Sequence, residues 1–255
     1  MKAKRVYDLP TRVFHWLFAT LFVVAFTISN TVDDESLVFS YHMLAGLTLS
    51  FLVAWRLVWG VIGTTHARFS DFPLHPRKLA GYFKGLLSRD HKLWSGHNPA
   101  SSWAAVAMMA CAVGLGITGY LMASGLAGED LEEVHELLAN GFLVIVLLHL
   151  AGIVLHTSKH RDPIWKSMVN GEKQHVPDHS VPVQARRISG VFFLVLTTAF
   201  AGYLLQNFNS DTRELNLLGS SLHLGEAEDE DEHESDDDHD HDLSLIHISE
   251  PTRRS

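Results

Sequence analysis

The sequence predicts an all-α membrane protein: a four-helix transmembrane bundle, then a fifth transmembrane helix and a disordered acidic tail. Three observations predict it. The apolar residues are gathered into five long blocks, the loops between them alternate between basic and base-free, and the C-terminal region turns abruptly to Asp, Glu and His. Hydrophobic residues make up 47% of the 255-residue chain. The mean hydropathy is only mildly positive, because the average hides the blocks.

A helix needs about 18–20 apolar residues to cross the ~30 Å hydrocarbon core of a bilayer. The blocks Val13–Ser29, Leu37–Ile62, Trp103–Ala123, His135–Leu155 and Ile188–Leu205 meet or approach that length. The first follows basic residues, as a signal peptide would. It carries Arg12, His15 and Trp16 at its head, however, and runs into Asn30-Thr31-Val32-Asp33-Asp34 rather than a small-residue cleavage site, so it reads as a retained helix. Cys111 is the single cysteine. This excludes a disulfide framework and a thiolate metal site, and leaves it as a small core or lipid-facing residue.

Lys and Arg in short loops mark the cytoplasmic side. Four precede the first span, none lies in 30–36, and six lie in 63–102. None lies in 124–134, six lie in 156–187, and only Arg213 lies between the fifth span and the acidic run. That alternation predicts a multi-pass membrane protein with its N-terminus in the cytoplasm and its C-terminus outside. The net charge of −9 belongs to the tail, since residues 226–242 hold twelve acids and no Lys or Arg. Such a segment cannot bury a core. Residues 243–255, LSLIHISEPTRRS, resemble translated sequencing-adapter read-through and are set aside as non-native. The expected organisation is therefore a bundle over 1–175, a loop and fifth helix over 176–210, an acidic His-bearing tail over 211–242, and the read-through.

An ionisable or metal-ligating side chain inside a span is costly and points to function. His15 lies near the cytoplasmic end of the first span and His42 near the outer end of the second, while the fourth carries His135 and His149. Fourteen residues are nearly four helical turns, so His135 and His149 share a face with a rise of about 21 Å between them. That spacing suits two macrocycles, one towards each membrane surface, each needing a second imidazole from a facing helix. Depth pairs His42 with His135, and His15 with His149. His156, seven residues beyond His149, matches the depth of His15 as well, and geometry leaves that choice open. Bis-imidazole ligation fills both axial positions of an iron and favours electron transfer over chemistry at the metal. Interhelical hydrogen bonding is the competing reading of a membrane histidine.

Other residues carry paired readings. Gly46 and Gly141 either let a flat macrocycle approach the backbone or serve close helix packing. Arg12 and Arg56 either pair with haem propionates or snorkel to the cytoplasmic edge. Trp16, Trp55 and Trp59 read as an interfacial belt.

The segments YDLPTRVFHW, YHMLAG, WRLVWGVIG, GHNP, VHELLANG and SMVNGEK, in this order over about residues 5–175, resemble the bacterial di-haem cytochrome b family. That family is typified by the b-type cytochrome subunit of nickel–iron hydrogenases and includes stand-alone cytochromes b. The resemblance implies two haem b groups ligated by His15, His42, His135 and His149, and it demotes His156 to a position near a quinone headgroup. Gly96–Pro99, the GHNP segment, either helps form that quinone site or caps the third span. The function implied is electron transfer between the quinone pool and a periplasmic redox partner, a cytochrome c or a hydrogenase-like subunit. The chain would be an electron-transfer subunit of an oxidoreductase complex, surrounded by membrane lipid, with no nucleic-acid partner. The acidic tail lies outside the shared pattern; it either attracts a basic partner electrostatically or is a solvated end. Two alternatives remain at this point: direct reduction of a small periplasmic acceptor at the outer haem, and a metal-handling membrane protein.

Overall fold

The computed structural model describes residues 3–87, 94–126, 129–160, 163–174, 176–177 and 180–225. The acidic run over 226–242 and the segment 243–255 lie outside the described residues.

In chain order the elements are β1 (Lys4–Arg5), α1 (Leu9–Thr31), α2 (Leu37–Ile62), α3 (Pro76–Leu87), α4 (Pro99–Ala123), α5 (Glu129–His160), α6 (Ser167–Asn170), β2 (Glu172–Lys173), α7 (Arg187–Asn207), β3 (Phe208–Asn209), β4 (Glu214–Leu217) and β5 (Ser220–His223). Five of the helices are long and apolar enough to cross a membrane: α1, α2, α4, α5 and α7. They correspond to the five apolar blocks, and each but α2 begins before the block did. Polar capping explains two of those starts. The Asp8 carboxylate accepts from Thr11 N–H at 2.9 Å with Pro10 in the first turn, and the Asn98 side chain accepts from Ser101 N–H at 2.8 Å with Pro99 at the same place. Pro suits that position because its missing N–H would go unpaired anyway. α5 starts six residues before His135, so that histidine sits within the helix and not at its tip.

α1, α2, α4 and α5 make a bundle in which α1 packs on α2, α2 on α4 and α4 on α5, while α7 lies against α1 and α2 from outside. Between α1 and α5 the contact is made by aromatic rings: Phe142 stands 4.5 Å from Phe22 and 5.7 Å from Phe18 between centroids. With Val53, Ala112, Met108 and Val146 these rings form an apolar layer at mid-depth. Many of the remaining apolar side chains are exposed, Val23, Leu148 and Val195 among them, as expected of helices whose outer faces meet lipid.

The polypeptide beyond α7 departs from the expected tail. A three-stranded antiparallel sheet, β3-β4-β5, follows α7 directly. Leu215, Leu222 and Leu224 are fully buried against Leu44, Ala123 and Leu204, and the Ser40 hydroxyl donates to the Leu224 carbonyl. Residues 208–223 thus form strands and turns where a disordered tail from 211 is expected. Alternate apolar residues of a short hairpin find a ready surface at the ends of α2, α4 and α7, which a reading of local charge overlooks.

At the opposite end, β1 pairs with β2 through Lys4↔Lys173 and Arg5↔Glu172. α6 closes at Gly171, whose φ of +83° belongs to the left-handed region. A Cβ at Gly171 would also stand 2.7 Å from the Tyr7 carbonyl oxygen, so glycine is required there twice over.

Candidate functional site

The His42 end is the more closely defined. The His42 and His135 rings face each other with centroids 6.3 Å apart and planes at 72°. His42 Nδ1 is 2.9 Å from the carbonyl oxygen of Ala25 on α1. A carbonyl only accepts, so Nδ1 carries the proton and Nε2 keeps its lone pair. His135 Nδ1 is 2.7 Å from Thr118 Oγ1 on α4. The Thr118 hydroxyl has one proton and also reaches the Gly114 carbonyl at 2.9 Å, so it accepts from His135. Both rings thus turn an unprotonated Nε2 away from their helix partners, the state a metal-ligating histidine requires.

The separation suits one metal ion between the two rings. With metal–nitrogen bonds of about 2 Å and a ring radius of about 1.1 Å, two imidazoles on opposite sides of one ion hold their centroids roughly 6 Å apart. Gly119 packs on the His135 ring, where a Cβ would lie 3.4 Å from Cε1. A Cβ placed on Gly46 or Gly141 would meet no atom within 4 Å, although both residues are half-buried. Close helix packing is therefore not what keeps them small, which favours the other reading, a flat macrocycle approaching the backbone.

At the other end, His15 on α1 and His149 on α5 lie within electrostatic range of each other, with the Trp16 ring 5.4 Å from that of His15. His135 and His149 lie on one continuous helix, as their spacing predicts. His156, half-buried, continues the helix beyond them.

Both arginines lie at the His15 end. Arg56 is buried at 6% exposure with its guanidinium 4.8 Å from the Phe69 ring centroid, and its Nη1 has no protein partner. Burial overturns the snorkelling alternative for this residue and leaves a cation able to receive an anionic substituent. Arg12 Nη1 donates to the Val169 carbonyl while its Nε has no partner. Of Trp16, Trp55 and Trp59, only Trp16 keeps a belt-like exposure, at 50%. Trp59 is buried, stacks on Trp55 with centroids 6.0 Å apart, and donates from Nε1 to Asp8 Oδ2 at 3.1 Å.

Asp8 escaped the sequence reading. Fully buried, it accepts from Thr11 N–H, Trp59 Nε1 and, at 2.8 Å, the Thr64 hydroxyl, tying the start of α1 to the end of α2. Its position before Leu9-Pro10 was the available signal, since Asp followed by Pro within the first turn marks a helix cap. Also missed were His66, whose Nδ1 lies 2.7 Å from Asp71 Oδ2, and the burial of His97. The GHNP segment does cap α4 through Asn98, and it also seats its own histidine inside. Burial, with Arg56 and other neighbours, lowers the His97 pKa to about 3, so that ring is neutral at ordinary pH. Burial likewise raises the Tyr7 hydroxyl above its usual value.

Among the described residues, no three or more His, Cys, Asp or Glu side chains gather into a metal-binding cluster. The paired imidazoles, and two arginines that each keep one nitrogen without a partner, suit a large, flat, anion-bearing metal complex.

Comparison with known proteins points the same way. Residues 6–171 match the family described as prokaryotic cytochrome b561. Three relatives carry the name "Probable Ni/Fe-hydrogenase B-type cytochrome subunit". That of Bradyrhizobium diazoefficiens is 25% identical, over 66% of this chain and 85% of the relative. Those of Rhizobium leguminosarum bv. viciae and Rhodobacter capsulatus are 25% and 22% identical, covering 66% and 68% of this chain and 87% and 82% of theirs. No solved structure matches.

Proposed function

The chain belongs to the prokaryotic cytochrome b561 family, and on that premise we propose that this multi-pass b-type cytochrome carries electrons across the membrane between the quinone pool and a redox partner at the periplasmic face. The observation that supports it most is the facing pair His42 and His135, each with Nδ1 committed to an acceptor and Nε2 free.

In this reading the chain binds two haems, one held by His42 and His135 and one by His15 and His149. Held between two imidazoles, haem would supply a one-electron couple. The protein's own part is positional. Ala25 and Thr118 fix the tautomer and direction of their histidines, and such outer partners tune a metal site strongly. The Phe22–Phe142 layer keeps water out of the middle of the bundle. Arg56 and Arg12 offer donors to carboxylate substituents at the His15 end. The basic loops at that end support the cytoplasmic side, and the proposed quinone site lies there too, with His156 near the headgroup. The His42 end and its hairpin would then face the periplasm.

The relatives are named as hydrogenase b-type cytochrome subunits, so a separate redox subunit at the hairpin face is the proposed partner, with a cytochrome c as the other candidate. The test is the visible spectrum of detergent-solubilised protein. A dithionite-reduced minus oxidised difference with sharp α and Soret bands is expected, with the signal of one haem lost in His135→Ala and of one in His149→Ala. Reduction of the haems by a quinol analogue without any partner tests the quinone step. Colourless, correctly inserted protein would refute the reading.

A further inference from the structure

Three titratable side chains at the His15 end have no part in holding a haem: His66, Asp71 and His97. His66 and Asp71 are joined by the 2.7 Å contact from Nδ1 to Oδ2. Their side chains are 11% and 35% exposed, so the pair leads from a nearly buried ring to a carboxylate that reaches water. Gly96 lies so close to the inner partner that a Cβ there would stand 2.8 Å from His66 Cγ and Nδ1. The next residue is His97, half-buried as a residue but with Nδ1 shielded from solvent, its ring 4.6 Å from Phe72 and 5.5 Å from Tyr7. His97 Nδ1 has no protein partner, an uncommon state for a buried ring nitrogen. The charged and titratable groups that face His97 are Tyr7, Arg56, His66, Lys173 and His149. His66 thus touches a water-reaching carboxylate on one side and adjoins the Gly96–His97 backbone on the other, and His97 lies within electrostatic range of both His66 and His149.

We propose that Asp71, His66 and His97 form a proton relay linking water at the loop face to the interior beside His149. The transfer moves protons only. A proton passed from His97 to Nε2 of His66 is matched by loss of the Nδ1 proton to the Asp71 carboxylate, and Asp71 then gives one proton to water. Uptake runs the same bonds in reverse. Burial holds His97 neutral, which keeps a ring nitrogen able to accept. Neutrality also avoids placing a fixed positive charge beside Arg56. The relay rests on the quinone reading above. Oxidising a quinol to a quinone releases two protons with its two electrons, and reduction takes two up, so a buried headgroup needs a route for protons distinct from the route for electrons. A histidine–carboxylate pair serves such a route because imidazole can gain a proton on one nitrogen while losing one from the other.

The experiment uses the full-length, haem-loaded protein in detergent, mixed rapidly with a short-chain quinol while haem absorbance and a pH-indicator dye are followed together. Asp71→Asn and His66→Gln are each expected to slow quinol-driven reduction and its coupled proton release at least tenfold. Dithionite reduction and haem content stay at wild-type levels. Added imidazole or azide, small enough to carry protons, restores Asp71→Asn several-fold, and Asp71→Glu keeps most of the rate. Wild-type rates in both variants would overturn the relay. So would slowed variants that no small acid restores, since that marks a purely structural role. A wild-type protein that never reacts with quinol would instead overturn the quinone reading, and the relay with it.

Discussion

The Thr118 hydroxyl lies 2.7 Å from Nδ1 of His135 and 2.9 Å from the carbonyl oxygen of Gly114 on its own helix. One hydroxyl proton serves the carbonyl, so the oxygen receives the imidazole proton. α4 thereby sets the tautomer of a side chain carried by α5.

Thr118→Val keeps the shape and removes that acceptor. Losing such an outer partner weakens a metal site by about 10–100-fold. Haem at the His42/His135 end should therefore be lost preferentially on dilution, and the midpoint potential of one of two spectral components should move. Redox titration of the variant beside Thr118→Ser, which retains the hydroxyl, checks this. Equal titrations in all three proteins would refute it.

His149 and His156 are separable by stoichiometry. His149→Ala should bind one haem fewer per chain, whereas His156→Ala keeps the full complement and alters only the response to quinol. A pyridine haemochrome assay gives the number directly. Loss of a haem in His156→Ala alone would transfer the ligand role to that residue.

Asp8→Ala removes a helix cap worth about 1 kcal/mol. It also strands the Trp59 indole N–H and the Thr64 hydroxyl, each at a cost of roughly 1–3 kcal/mol if left unpaired. A loss of about 3–7 kcal/mol is expected if both donors stay unpaired, with Asp8→Asn less affected because its amide oxygen still caps α1. Thermal denaturation in detergent, followed by the Soret band and by helicity, measures both.

The hairpin makes its own prediction. Leu215 is fully buried, and Leu→Ala at such a site costs about 2–5 kcal/mol. Leu215→Ala should release β4 and β5 locally, so that protease cuts between Asn209 and Gly225 while the five long helices stay intact. Wild-type resistance in the variant would refute the packing.

Stability should depend on His97 in mildly acid solution. Its folded pKa of about 3 lies below the ordinary value of 6.5. Between those values the unfolded chain binds a proton that the folded chain does not. The stabilising contribution is thus complete above pH 6.5 and falls as pH drops towards 3. His97→Asn should show a shallower loss of thermal stability between pH 6.5 and 4.5 than wild type. Parallel curves would mean that other groups set the acid limb.

The sequence by itself determined the number of spans, and that His135 and His149 ride one helix four turns apart. Hydropathy and helical period are properties of consecutive residues, and they survive without knowledge of any neighbour. Tertiary structure decided what depended on distant partners. Asp8 finds Trp59 from α2 and Thr64 just beyond it, Arg56 disappears beneath Phe69, and His97 packs against Tyr7 and Phe72. The leucines after Asn209 become core only because α2, α4 and α7 end beside one another. A polar side chain's role follows from which groups desolvate it and which accept its protons, and those groups lie far away along the chain.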